Sequence, residues 1–97
     1  MPEFTWTIVN TKIGESIRVL ASSFAGPEVQ VILQTKELFD QFQQSRSTGA
    51  GPVILQQIEA VSLTPSRPEH VFKTAPGEWY VMFQSWRAQV SCQTVIA

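Results

Sequence analysis

Apolar and polar residues alternate with a period of two over most of this chain, in short runs punctuated by Gly, Pro, Ser and Asn. That is the period of a pleated strand, whose successive side chains point to opposite faces, so the pattern predicts a series of half-buried strands. The first is Phe4-Thr5-Trp6-Thr7-Ile8-Val9, with Phe4, Trp6 and Ile8 expected to face inward. Asn10 to Glu15 reads as a turn around Gly14. Ser16 to Ser22 then places Ile17, Val19 and Ala21 on one side and Arg18 and Leu20 on the other. Gly26-Pro27 breaks the chain before a third strand, Val29 to Gln34, in which Val29, Val31 and Leu33 are expected inward and Gln30, Ile32 and Gln34 outward.

One stretch changes period. From Thr35 to Ser45 the apolar residues Leu38, Phe39 and Phe42 fall at i, i+1 and i+4, Thr35 is placed to cap an N-terminus, and Glu37 suits the positive end of a helix dipole. A helix of two to three turns is predicted, about residues 36–45. Arg46 to Pro52 reads as a flexible loop; it lacks the Gly-Lys-Ser/Thr of a phosphate-binding loop. Val53 to Leu63 is apolar around a central Gln-Gln. Val53 and Leu55 fit one strand, and Ile58, Ala60 or Val61, and Leu63 its continuation past a bend or bulge. Thr64-Pro65-Ser66-Arg67-Pro68 is a turn, because two prolines exclude a central strand.

The run His70 to Ile96 is the most legible. Ala75-Pro76-Gly77-Glu78 has the form of a type II turn, with Pro setting φ at the second position and Gly accepting positive φ at the third. From Glu78 the residues alternate, Trp79, Val81 and Phe83 toward the core and Tyr80, Met82 and Gln84 away from it. After Ser85, Trp86 and Arg87, a terminal strand from Gln89 to Ile96 puts Val90, Cys92, Thr94 and Ile96 on one side, so the last two strands are expected to form an aromatic hairpin. Phe72, then Pro76-Gly77-x-Trp79 with Phe83 six residues after the glycine, then an alternating terminal strand, resembles the end of the GOLD-type β-sandwich and of bacterial domains sharing its outline. The likeness covers roughly the last third; upstream, Gly14 to Phe42 would be an opening strand pair followed by a short helical excursion. Ser85 stands where the pattern often carries Asn. In its eukaryotic form such a domain is similar to a protein and cargo interaction module, which fold likeness alone does not transfer.

Taken together, the pattern predicts an all-β fold: one antiparallel β-sandwich domain over residues 1–97, with about seven strands and the single short helix. Composition agrees with that size. The chain has 97 residues and 43% hydrophobic content, room for one core that removes roughly 60 to 65% of the unfolded surface from water. A net charge of −1 and an isoelectric point near 5.7 supply no strong field for phosphate backbones or anionic lipids, which disfavours generic nucleic-acid binding. Cys92 is the only cysteine, so no internal disulfide is available and a reducing, cytoplasmic setting is expected. No stretch approaches the 18 apolar residues of a membrane span, and MPEFTWTIVN has no basic segment leading into an apolar one, so neither membrane insertion nor a targeting segment is expected.

Candidate chemistry is sparse. His70, the only histidine, with Cys92 and Asp40 would be the one nucleophile set at hand. His70, however, opens a strand beside Glu69 as a rim residue, and Cys92 alternates with Val90 as a small core residue, whereas a reactive thiolate needs an accessible, electropositive setting. One His and one Cys do not make a zinc site. Glu37 and Asp40 share a helix face as solvated carboxylates rather than an acid/base pair, and Ser22, Ser23, Ser45 and Ser47 have no adjacent base or hydrolase motif. No catalytic residue, cofactor or metal is therefore expected. Trp6, Trp79, Phe72 and Phe83 are expected in the core, since large rings carry much of the burial in a small domain. Trp86 and Arg87, at the end of the expected hairpin, are the candidate binding residues, because Trp and Arg are enriched at binding hot spots. Tyr80, with Met82, either extends that patch or packs on the helix. The expected function is a non-enzymatic binding module contacting a protein partner or a second copy through its strand edges, or, as the alternative, a carbohydrate or small-ligand module built on the aromatic patch.

Overall fold

The computed structural model describes residues 4–49, 51, 56–84 and 88–96, and among them seven strands and one helix. In chain order these are β1 (Phe4–Thr11), β2 (Glu15–Ser22), β3 (Val29–Gln34), α1 (Lys36–Thr48), β4 (Glu59–Leu63), β5 (Glu69–Lys73), β6 (Gly77–Gln84) and β7 (Gln89–Ile96). They form two antiparallel sheets, one of four strands in the order β1-β6-β3-β4 and one of three in the order β5-β2-β7. This is the all-β sandwich that the period-two pattern predicts, with β2 and β3 at their expected places.

The two sheets face each other across a core in which Ile17, Val19 and Phe72 of one meet Val31, Leu33, Val81 and Phe83 of the other. Each of these residues alternates with a residue on the opposite face of its strand, as pleat geometry requires. In the four-stranded sheet the opposite face is buried too. Ile32 of β3 and Met82 of β6 pack against Phe42 of α1, and Tyr80 stacks on Phe39 with ring centroids 4.4 Å apart. The helix is therefore a third layer. Thr35 caps it, its hydroxyl accepting from the Leu38 N–H at 3.3 Å, and it runs three residues past the expected end to stop at Gly49, whose φ of 62° is the left-handed conformation of a C-terminal cap.

That third layer corrects the reading of β1. Phe4, Trp6 and Ile8 do not face the other sheet; Val9 and Thr11 are the buried positions of this strand. The aromatic side of β1 turns instead toward the helix, where Phe4 meets Phe42 edge-on at 5.8 Å and Trp6 tilts against Phe39 at 5.0 Å. Trp6 stays 38% exposed and Ile8 48%, so Trp6 is not the core residue its type implies. Phe72 and Phe83 are core, and Trp79 packs on it half-buried. The indole N–H of Trp79 donates to the Ala75 carbonyl at 2.9 Å, and Thr11 Oγ1 donates to the same oxygen at 2.9 Å. These two bonds tie the end of β1 to the segment that feeds β6.

A second correction concerns connectivity. The last two strands are not a hairpin: β6 pairs with β1 and β3, and β7 with β2, in different sheets. Gly77 has positive φ, but at 146° it is already the first residue of β6, beyond the value near 80° of a type II turn. β2 and β3 likewise lie in different sheets. Every connection crosses from one sheet to the other except β3 to β4, the one that contains the helix. The Thr64 to Pro68 turn is as expected, closed by a reciprocal pair of bonds between Thr64 and Arg67. Ile58 is exposed rather than part of a strand, and the expected strand at Val53 and Leu55 falls outside the described residues.

Candidate functional site

A sandwich has two open flanks, where the edge strands of its sheets meet solvent, and here they differ in chemistry. On one flank the edges are β4 and β5, each five residues long. His70 Nε2 lies 2.9 Å from Glu59 Oε2, bridging the sheets, and the His70 ring packs edge-on against Phe72 at 4.8 Å. Arg18 pairs with Glu69 just behind this edge, and Pro65 and Pro68 interrupt the chain between the two strands. Short length, charge and proline are the devices that keep an edge from pairing with another chain.

The other flank has none of them. Its edges are β1 and β7, eight residues each, and β1 packs beside β7 across the sandwich. Neither Phe4–Thr11 nor Gln89–Ile96 contains a charged residue or a proline. The lip between the layers carries the exposed hydroxyls of Thr5, Thr7 and Thr94, while Ile96 is 89% exposed. On the helix side Trp6 and Ile8 extend the same surface. Physically this is a long, uncharged row of backbone donors and acceptors beside exposed β-branched and aromatic side chains, which is what an incoming strand requires.

The binding residues named from sequence fare differently. Trp86 and Arg87 lie outside the described residues. Tyr80 is 7% exposed, stacked beneath α1 on Phe39, so its ring presents no open platform to a sugar; it follows the alternative of packing against the helix.

The polar residues do not converge. His70 and Cys92 both flank Val19 in one row across the three-stranded sheet, two strand spacings or about 10 Å apart. Asp40 is on the far side of the other sheet, ion-paired with Lys36 at 3.0 Å. Burial pushes the Cys92 thiol up to about 11, so it is a neutral thiol rather than a nucleophile at neutral pH. Among the described residues no group of three or more His, Cys, Asp or Glu side chains is placed to hold a metal ion, and no helix is long and apolar enough to cross a membrane.

The β1/β7 flank is what sequence reasoning missed, because the expected hairpin made β7 a partner of β6. The available signal was charge: the runs at 4–11 and 89–96 are free of it, and their being neighbours depends on topology. Comparison with protein-family models, with curated proteins and with solved structures gave no match to this chain.

Proposed function

We propose that this chain is a non-enzymatic protein-interaction module that binds by strand addition along the β1/β7 flank. The observation that carries the reading is the contrast between the two flanks, one short, charged and proline-bounded, the other eight residues long and uncharged on both edges. An extended segment laid along such an edge gains main-chain hydrogen bonds, and alternate side chains of that segment meet the exposed ones of the edge.

The test is site-specific photocrosslinking in cells. A photoactivatable residue at Thr7 or Thr94 on this flank should give discrete protein adducts, and one at Ser62, exposed on β4, should not. Adducts confined to Ser62, or none at any of the three, would remove the proposal.

A further inference from the structure

The backbone of β7 can be resolved residue by residue. The Ala21 N–H donates to the Pro68 carbonyl at 2.8 Å, on the β5 side of β2. In an extended strand the N–H and C=O of one residue point the same way and alternate along the chain, so the partner of Ala21 on β7, Val90, belongs to a non-hydrogen-bonded pair. Its own N–H and C=O therefore point away from β2, into the open flank. The register from Ser22 opposite Gln89 to Glu15 opposite Ile96 has no break, which extends the alternation: Val90, Cys92, Thr94 and Ile96 all present free backbone groups to the flank, while Gln93 bonds back to Arg18.

We infer that a second copy of this chain occupies the flank, β7 pairing antiparallel with its symmetry mate about a two-fold axis at Gln93, so that two three-stranded sheets become one of six strands. This rests on the interaction reading above and names its partner. Antiparallel pairing of identical strands requires outward-facing residues opposite one another, which places the axis at a residue rather than between two; at the centre of β7 that means Cys92 or Gln93. An axis at Gln93 engages all four outward residues within the strand, Val90 with Ile96 and Cys92 with Thr94, and it lays the exposed Ile96 against the half-buried Val90 of the other copy. Charge does not oppose a like partner. β7 carries none, and the Arg18 side chains opposite Gln93 on β2 are three strand spacings or about 14 Å from each other, beyond the ~8 Å screening length, and each is paired with Glu69. Size also suffices. Eight residues span about 27 Å and two sheets about 20 Å of depth, so the flank covers roughly 540 Å² per copy. The total of roughly 1,100 Å² clears the ~1,000 Å² expected of a specific interface, at its weaker end.

Sedimentation velocity on the purified full chain, from about 1 µM to about 500 µM, should show a shift from the mass of one chain to that of two. Thr94→Pro removes an outward N–H and no bond to β2, though its ring also restrains the strand backbone; it should weaken association at least tenfold while moving the melting temperature by a few degrees. Gln93→Pro, which removes a bond to β2, should lower the melting temperature far more. In a Cys92→Ser background, Gln93→Cys should oxidise to a covalent dimer, since a non-hydrogen-bonded pair holds its Cα atoms about 4.5 Å apart, within disulfide reach. Ser62→Cys in the same background should not. A single-chain mass at every concentration, association undiminished by Thr94→Pro, or cross-linking at Ser62→Cys instead of Gln93→Cys overturns the dimer. If the pure chain is monomeric yet photoadducts with other proteins persist at Thr94, self-pairing falls and the flank remains a binding edge; if both vanish, both readings fall.

Discussion

Replacing Phe42 with Ala tests whether the helix is a structural layer of the sandwich. Phe42 is 2% exposed and rests on Ile32 and Met82, with Phe4 edge-on at 5.8 Å and the Arg46 guanidinium 5.2 Å from its ring centre. Truncating a buried Phe costs about 3–5 kcal/mol. The ring pair with Phe4 supplies about 0.5–1.5 kcal/mol of that, and the partly exposed Arg46 contact about 0.5–1 kcal/mol. For a domain of this size each kcal/mol shifts the melting temperature by about 4–8 °C, so a fall of at least ~12 °C is expected. Urea denaturation followed by tryptophan fluorescence gives the free energy, and Trp6, which touches Phe39 on the same helix, reports the layer directly. Ile13→Ala, at a fully solvated turn position, should change stability by under ~0.5 kcal/mol. A loss below ~1 kcal/mol for Phe42→Ala would refute the reasoning, because the outer faces of β3 and β6 would then be covered by something other than α1.

Two further outcomes follow from local chemistry. With its thiol raised from 9.0 to about 11, Cys92 should react with iodoacetamide at pH 8 about 100-fold more slowly in the native chain than in urea, the ratio of thiolate populations. By the same linkage its burial contributes stability that is complete below pH 9 and is lost as pH rises toward 11, a slope that Cys92→Ser should abolish in melts taken across that window; equal native and denatured rates would contradict the assignment. A methyl group at Gly77 would meet no atom within 4 Å, yet the φ of 146° there is one that L residues rarely adopt. Gly77→Ala should therefore cost about 1–3 kcal/mol from the backbone alone, measured by urea denaturation, and a neutral result would show that the conformation is not held.

Which parts of this were legible in the sequence follows from what period-two alternation can encode. It reports which residues share a face, and for β2 and β3 that was enough, since Ile17, Val19, Val31 and Leu33 all meet the core as expected. It cannot report what lies beyond a face. The aromatic side of β1 reads as facing the other sheet because nothing in Phe4, Trp6 and Ile8 distinguishes burial under a sheet from contact with a helix. Turn residues are equally silent on destination. A short connection such as that between Gln84 and Gln89 reads the same in sequence whether the next strand joins the same sheet or the opposite one, and the expected β6/β7 hairpin failed on that ambiguity. The candidate site was hidden for the same reason: two uncharged runs at residues 4–11 and 89–96 form one surface only once β1 and β7 are known to share a flank.

The sheet-crossing connections fix when this chain can fold during its synthesis. Phe4 finds its partner at Gln84 and Glu15 finds its partner at Ile96, so β1 and the β7-facing edge of β2 wait unpaired until β6 and β7 have been made. Only β3 and β4, joined through the helix, are a unit that nascent chain could assemble early. Pairings of such sequence separation carry a large loop-closure cost and fold on the millisecond-to-second scale typical of sandwiches. Through that interval Phe4–Thr11 is an uncharged aromatic strand without a mate, an edge open to pairing with another chain.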